Sequence, residues 1–240
     1  MKKLAWLIAA LIICICTIIA LAAMWVADVV VTKQGEGYYT TISIPFAVPC
    51  GNVAPEIDFA ALREGMPDVV GWIQSAGTNI NYPIMQGADN DFYLHHLPDG
   101  TQNRMGSIFL DYRNNANFSG QTIFIYGHNM ATENKFASLK NYLDHEYFLQ
   151  HGTMYIFTPR QNFEIVIFAG YDFDSAVEQP PMYFATAQCF EGYIESLLSR
   201  SFIQSGIVPE YGDSLVFLIT CFRAYTSTWR RIIVGVLLDF

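Results

Sequence analysis

A cysteine and a histidine each follow an apolar run that is typical of a β-strand. Cys221 ends the run 215–220, and His128 follows the run 122–126 with Gly127 between. Side chains at strand ends lie at the rim of a sheet or barrel, where loops form sites. A cysteine acts as a nucleophile through its thiolate, which a nearby base or cation supplies. These residues are therefore candidates for covalent acyl transfer.

Both residues also have a structural interpretation. A free cysteine is often a small buried hydrophobic residue, and for the thiol alone this interpretation of Cys221 is the more frequent one. A single histidine such as His128 is more often a structural hydrogen-bonding group than a catalyst. The shared position of the two residues at strand ends favours a site.

Two arginines could complete such a site. Arg230 and Arg231 open the last predicted strand, nine and ten residues after Cys221. A short connection between neighbouring strands would return a guanidinium toward the thiol, where it could donate to an oxyanion or hold a carbonyl. Because side chains alternate along a strand, one of the two can face the site. The alternative is a solvated charge pair at a strand start.

Other chemistries have little support in the sequence. His95 and His96 are adjacent, and no Cys-x-x-Cys or His-x-x-x-His pattern occurs outside the apolar N-terminal segment. A phosphate-binding loop, a serine elbow and the GxGxxG pattern are also absent. We therefore expect no metal and no cofactor. The net charge of −9 excludes a basic nucleic-acid-binding surface.

The remaining pattern predicts a mainly β protein with helices. Many short strands with few helices favour a closed or nearly closed β-barrel over a parallel α/β sheet. Short β-branched or aromatic runs bounded by turn residues predict strands at 79–86, 106–112, 122–126, 153–158, 163–171, 214–220 and 231–238. Helical spacing predicts helices at 56–66, 67–73, 135–149 and 188–203.

The helix at 188–203 precedes the penultimate strand and should lie across one face of the barrel. Its apolar side chains at helical spacing are expected to turn inward, namely Phe190, Tyr193, Ile194, Leu197 and Leu198. Five cysteines are too few for a disulfide scaffold, and Cys50 and Cys189 are expected to be unpaired and buried, although a disulfide between them stays open.

The N-terminus predicts a membrane anchor. Residues 4–27 carry no charge, and these 24 residues would form a helix of about 36 Å, against a hydrocarbon core of about 30 Å. Lys2 and Lys3 before the segment should stay in the cytoplasm, so the rest lies outside the cell. A cleaved signal peptide is the alternative, but its apolar core is usually about 7–15 residues long.

These observations divide the chain into three parts. Residues 1–27 form the cytoplasmic tip and transmembrane anchor, and residues 28–55 form a juxtamembrane linker, irregular from Gln34 because it is rich in Gly, Thr and Pro. Residues 56–240 form the exterior domain, beginning with helices. Its acidic character does not favour binding to an anionic surface, so a local site must recognise the substrate.

Five segments in order resemble the successive signatures of class B sortases. They are NINYPIMQGADNDFYLHH, MGSIFLDYRN, TIFIYGHNM, FLITC and RRIIVGVL, and the resemblance covers roughly residues 56–238. Sortases are membrane-anchored cysteine transpeptidases of Gram-positive bacteria built on a β-barrel. Each segment alone is weak, but their combination and order are specific.

The resemblance implies roles for individual residues. The catalytic residues fall on His128, Cys221 and Arg230, the last because R-x-x-x-V-G-x-L begins there; a frame shifted by one residue would select Arg231. Ile219 replaces the small hydroxyl residue that the family usually has before Thr-Cys. Substrate-binding positions fall on Asn90, Leu94, Ser175, Ile219 and Thr220.

The implied reaction is acyl transfer through a Cys thioester. The substrate would be a secreted protein with a Pro-x-Thr-type C-terminal sorting signal, and the acceptor would be an amine of the peptidoglycan precursor. Two alternatives stay open at this point. The chain could be a sortase of another class, housekeeping or pilus-assembling, or a catalytically silent sortase-like domain that binds partners at the membrane.

Overall fold

The computed structural model describes residues 2–42, 57–130, 134–221 and 228–240, and of Cys221 it describes the backbone. The chain divides into two compact units, Met1–Ile42 and Ser43–Phe240. The first unit is helix α1, Lys2–Ile42. At about 1.5 Å per residue α1 is about 62 Å long, twice a hydrocarbon core of about 30 Å. Its segment Trp6–Ile42 is long and apolar enough to cross a membrane, and most of its large apolar side chains are exposed.

The linker begins as helix, which differs from the prediction of an irregular segment. Residues 28–42 continue α1 without a break, although Gly35 and Gly37 lie within them. Prolines, which would end a helix, begin only at Pro45. Residues 43–56, which include Cys50, lie outside the described part of the chain.

The second unit contains a closed β-barrel, which confirms the predicted fold class. The barrel order is β1-β2-β3-β4-β7-β8-β6-β5, with β5 paired back to β1. The pairs β2–β3 and β4–β7 are parallel and the others are antiparallel. The strands are β1 Val69–Gln74, β2 Asn81–Met85, β3 Ile108–Leu110, β4 Thr122–Tyr126, β5 Thr153–Phe157, β6 Asn162–Asp174, β7 Ser214–Cys221 and β8 Trp229–Asp239.

Short helices fill the connections between the strands. Asp58 caps the first of them, since its carboxylate accepts from the backbone N–H of Ala61 at 2.9 Å. The helices are α2 Phe59–Gly65, two 3₁₀ helices at Phe92–Leu94 and Phe136–Leu143, α3 His145–His151 and α4 Ala187–Ser199.

Helix α4 precedes the penultimate strand, as predicted, and covers one face of the barrel. Thr186 caps it through a hydrogen bond from the backbone N–H of Cys189. All five apolar side chains predicted to turn inward pack in one cluster with residues of β6, β7 and β8; three are buried and two partly buried. Burial of each large side chain contributes about 1.5–3 kcal/mol, so α4 is firmly attached to the strands that carry the candidate site.

Three local predictions are wrong. Residues 69–74 form strand β1 rather than a helix, because Val69 and Val70 favour β structure and pairing with β2 and β5 outweighs the helical spacing. The predicted helix at 135–149 is divided by Asp144, whose side chain caps α3. Cys189 is an exposed free cysteine rather than a buried one, because it lies on the outer side of α4.

Candidate active site

The register between β7 and β8 brings Cys221 and the arginine pair together. Cys221 lies directly opposite Arg230, and Thr220 lies directly opposite Arg231. Residues directly opposite in an antiparallel pair have Cα atoms about 4.5–5.5 Å apart. Both arginines are therefore adjacent to the end of β7, and the two strand faces separate their roles.

Arg231 is a buried structural residue. Its guanidinium donates from Nε and Nη2 to the two carboxylate oxygens of Asp172, each at 2.8 Å. The side chain is 5% exposed, and the guanidinium also lies 5.3 Å from the ring centroid of Phe202. Both contacts hold the Arg231 guanidinium inside the domain, so this side chain is not available to bind a substrate.

Arg230 lies on the other side of β8, where it lines a groove. Its side chain is partly exposed, and Nη1 donates to the carbonyl of Trp229 at 3.0 Å. Its positive charge also lowers the pKa of Asp174, after hydrogen bonds from Thr228 and Ala176. The arrangement places the Arg230 guanidinium where a peptide carbonyl could accept from it.

His128 is brought to the same level by the parallel pairing of β4 and β7. Tyr126 pairs with Ile219, and the next backbone N–H, of Gly127, donates to the carbonyl of Ile219 at 3.0 Å. His128 and Cys221 each lie two residues beyond the Tyr126–Ile219 pair. Parallel pairing therefore places an imidazole-bearing residue and a thiol-bearing residue at one end of adjacent strands.

The His128 ring is buried and held by a backbone carbonyl. Nε2 lies 2.6 Å from the carbonyl oxygen of Leu94. Burial lowers the pKa of His128 below 6.5, the Leu94 carbonyl opposes this shift, and His95 and Lys135 add to it. Neutral imidazole is thus the favoured form in the free protein, and a proton on the ring is readily given up.

A glycine allows the contact between His128 and Leu94. Gly106 has φ +54°, and a Cβ there would lie 2.5 Å from the Leu94 carbonyl oxygen and 3.0 Å from Cδ2 of His128. Any other residue would be strained in this backbone conformation and would displace the carbonyl. Gly106 thus leaves the space in which the His128 ring and the Leu94 carbonyl meet.

The groove next to these strand ends has a volume of about 250 Å³. Three of the predicted substrate-binding residues line it: Asn90, Ser175 and Ile219. The full lining is Asn90, Arg113, Phe124, Tyr126, Phe173, Ser175, Gln179, Pro180, Ile219 and Arg230. A larger cavity of about 1050 Å³ shares no lining residue with this groove.

Two predicted substrate-binding residues are absent from the groove lining. Leu94 instead contributes its carbonyl to His128. Thr220 is buried opposite Arg231, and its Oγ1 has no hydrogen-bond partner among the described residues. Strand alternation explains the second case, since Ile219 lines the groove and its neighbour points to the opposite face.

Sequence reasoning missed three polar residues of the groove, Arg113, Tyr126 and Gln179. The segment Asp111–Tyr112–Arg113 directly after β3 carried a signal, because charges two residues apart after an apolar strand can pair at a strand end. Among the described residues, no group of three or more His, Cys, Asp or Glu is arranged to hold a metal ion.

A thiol, an imidazole and a guanidinium at adjacent strand ends of a closed barrel form the arrangement expected of a cysteine acyl-transfer enzyme. Comparison with family models finds no match. Sortase B of Listeria monocytogenes is 37% identical over 154 residues, 64% of this chain and 63% of that protein. Sortase B of Staphylococcus aureus is 28% identical over 176 residues, 73% of this chain and 72% of that protein.

Solved structures agree with these relatives. Sortase B of Bacillus anthracis in complex with AAEK1 is 31% identical with a TM-score of 0.69, covering 76% of this chain and 84% of that chain. Clostridium perfringens sortase B is 31% identical with a TM-score of 0.68, covering 75% and 99%. The chain belongs to the class B sortase family. It spans less than two thirds of the length of the Listeria relative.

Proposed function

We propose that this protein is a transpeptidase that cleaves a C-terminal sorting signal through a Cys221 thioester and transfers the acyl group to a peptidoglycan amine. The observation that carries the proposal is the register of β4, β7 and β8. It places Arg230 opposite Cys221 and His128 two residues beyond the Tyr126–Ile219 pair, beside a groove.

In the first half-reaction neutral His128 takes the proton of the Cys221 thiol, and the resulting thiolate attacks the carbonyl carbon of the Thr in the signal. Arg230 donates to the oxygen that becomes negative in the tetrahedral intermediate. The C–N bond then breaks, and His128 gives its proton to the departing amine. The products are a Cys221 thioester, a free amine and a neutral imidazole, so the proton and the charge balance.

In the second half-reaction an acceptor amine attacks the thioester carbonyl. Neutral His128 takes a proton from this amine, the C–S bond breaks, and the departing thiolate recovers a proton from His128. Burial lowers the pKa of His128, which suits an imidazole that must accept and release a proton within one cycle. Water in place of the amine gives slow hydrolysis.

The groove supports a peptide substrate with a proline. Ile219 and Phe124 offer apolar surface, while Asn90 and Ser175 offer polar groups. A proline restricts the free peptide, so less conformational entropy is lost on binding. We propose a sorting motif of the Pro-x-Thr type, which the resemblance to class B sortases implies. A solved sortase B with substrate and another with a triglycine peptide support a peptide donor and an amine acceptor.

Helix α1 anchors the protein in the cell membrane as a single pass. Its apolar segment supports this placement by length and composition. Lys2 and Lys3 keep the N-terminus in the cytoplasm, and the barrel acts outside the cell on secreted proteins.

A peptide panel tests the proposal. The full chain in detergent is incubated with quenched peptides varied around Pro-x-Thr, with and without an amine acceptor, and mass spectrometry locates the cleaved bond. We expect cleavage after Thr, amine-dependent transpeptidation and a trapped Cys221 acyl adduct. Cleavage that persists in Cys221→Ala, or a wild-type chain that forms no adduct with any peptide, would exclude it.

A further inference from the structure

A completely buried carboxylate, Asp111, organises one wall of the groove. It follows β3 directly, and its side chain is 0% exposed. Oδ1 accepts from the backbone N–H of Arg113 at 2.9 Å and from Nε at 2.8 Å. Oδ2 accepts from Nη2 of Arg113 at 2.7 Å, Nδ2 of Asn90 at 2.9 Å and the hydroxyl of Tyr126 at 3.1 Å. Asn90, Arg113 and Tyr126 all line the groove, so one carboxylate fixes three of its polar side chains.

Asp111 carries its charge inside this network. Burial by itself would raise the pKa of Asp111, but hydrogen bonds from Arg113 and Asn90 outweigh burial and lower it. The same pair raises the pKa of Arg113. Burial and the Asp111 charge both raise the pKa of Tyr126, which keeps its hydroxyl protonated. This wall of the groove therefore contains an Asp111–Arg113 ion pair without net charge, and the hydrogen-bond donors around Asp111 are held in fixed directions.

Arg113 differs from a purely structural partner in its exposure. Its side chain is 42% exposed, whereas that of Arg231, in the comparable bidentate pair with Asp172, is 5% exposed. A guanidinium has five N–H donors, and the pair with Asp111 uses one on Nε and one on Nη2. Arg113 also lines the groove, so N–H donors that Asp111 does not use are available to a ligand there.

We propose that Arg113 is a specificity-determining residue that donates to a carbonyl oxygen of the bound sorting signal, and that Asp111 is the positioning residue that holds and neutralises it. This inference rests on the proposed function and deepens it. Because Asp111 cancels its charge, Arg113 recognises a neutral acceptor by hydrogen bonding rather than an acidic one by charge. Removing the Asp111 charge while keeping its shape should therefore change the preference of the groove.

Steady-state kinetics of the full chain test this assignment. Three quenched peptides share the Pro-x-Thr core and carry Gln, Glu or Lys at one position upstream of the proline. The variants are Arg113→Gln, Arg113→Lys and Asp111→Asn, and the control is Arg160→Gln, an exposed arginine outside the groove. Alkylation of Cys221 by a small electrophile reports whether each variant keeps a competent thiol.

We expect Arg113→Gln to raise KM about fivefold or more for the Gln peptide, the loss of a charge-assisted hydrogen bond, with kcat within about twofold. Arg113→Lys should lie between this variant and wild type, because an ammonium cannot keep the bidentate geometry. Asp111→Asn should raise the ratio of kcat/KM for the Glu peptide over the Gln peptide by about threefold or more. Arg160→Gln should behave as wild type.

Two results would overturn the assignment. One is an unchanged KM in Arg113→Gln, and the other is an Asp111→Asn variant that loses the same factor on all three peptides. Arg113→Gln alters a partly exposed side chain and serves if Asp111→Asn does not fold. If wild type cleaves no peptide, the proposed function fails on its own account. Calorimetric binding of the same peptides to Cys221→Ala, with and without Arg113→Gln, then decides the role of Arg113 separately.

Discussion

Cys221 on β7 and Arg230 on β8 are direct cross-strand partners, and the next pair inward joins Thr220 to Arg231. One step in register thus separates an arginine beside the groove from an arginine sealed in an ion pair with Asp172. Two neighbouring residues of identical type have different environments because strand side chains alternate. The two arginines should therefore respond to mutation in opposite ways.

We expect Arg230→Ala to lower kcat about 100-fold or more, since removal of one oxyanion donor has this effect, with little change in stability. Arg231→Ala should instead lower the free energy of unfolding by about 3 kcal/mol, because it leaves the Asp172 carboxylate without its partner. Urea denaturation and peptide cleavage measure the two effects. Equal loss of activity in both variants, with both folded, would contradict the assignment.

Thiol reactivity should distinguish Cys221 from a surface cysteine. Cys189 is exposed and free on α4, away from the groove lining, and provides a matched comparison. With a peptidyl electrophile that carries the sorting motif, we expect alkylation of Cys221 at least about tenfold faster than of Cys189, because the groove orients the electrophile beside the thiolate. Peptide mapping by mass spectrometry gives the two rates.

Cysteine substitutions complete that comparison. Cys221→Ala should abolish cleavage, and Cys189→Ser should leave it unchanged. Comparable rates of labelling of Cys221 and Cys189 by the peptidyl probe would contradict an active site at Cys221.

Gly106 and Gly100 offer a test of the His128 contact. Both have positive φ, +54° and +81°, but a Cβ at Gly100 meets nothing within 4 Å. Gly100→Ala should cost about 1 kcal/mol of stability through backbone strain and leave kcat intact. Gly106→Ala carries the same strain and also displaces the Leu94 carbonyl, so it should lower kcat about tenfold or more.

For Gly106→Ala and Gly100→Ala, kcat is measured per folded molecule, and circular dichroism gives the folded fraction of each variant. If Gly106→Ala lowers the stability without lowering kcat, the contact between the Leu94 carbonyl and His128 has no role in catalysis.

The buried imidazole of His128 predicts a pH-dependent stability. Burial holds its folded pKa below 6.5, so below pH 6.5 the unfolded chain binds a proton that the folded chain does not. Stability from this group is complete above pH 6.5 and decreases as the pH falls toward the folded pKa. His128→Gln should lack this component.

Urea unfolding of wild type and His128→Gln from pH 7.5 to pH 5 measures the difference. Because the carboxylates titrate in both proteins, their contribution cancels in the difference between the two free energies of unfolding. A constant difference over this range would contradict a buried neutral imidazole.

Much of this architecture follows from local sequence patterns. Strand β4 has the predicted bounds, 122–126, because turn residues stand on both sides of a β-branched run. The apolar spacing of α4 predicted its buried face for the same kind of local reason. The positions of Cys221 and His128 at strand ends could also be predicted, since Cys221 directly follows an apolar run and His128 follows one after Gly127.

What could not be predicted depends on pairing between distant segments. Residues 69–74 became a strand because β2 and β5 lie on either side, which overrides the helical spacing. Leu94 acts through its backbone carbonyl, and side-chain patterns are silent on such roles. The links from Asp111 to Asn90 and Tyr126 likewise depend on tertiary contacts.

The parallel pairing of β4 with β7 has a consequence for biogenesis. Between them in the chain lie β5, β6 and α4, so the two strands meet only after most of the polypeptide has emerged and collapsed. Contacts of such long range form late, because loop closure must precede them. Until β4 and β7 have paired, His128 is not held beside the end of β7 that carries Cys221, so the candidate site is complete only in the closed barrel.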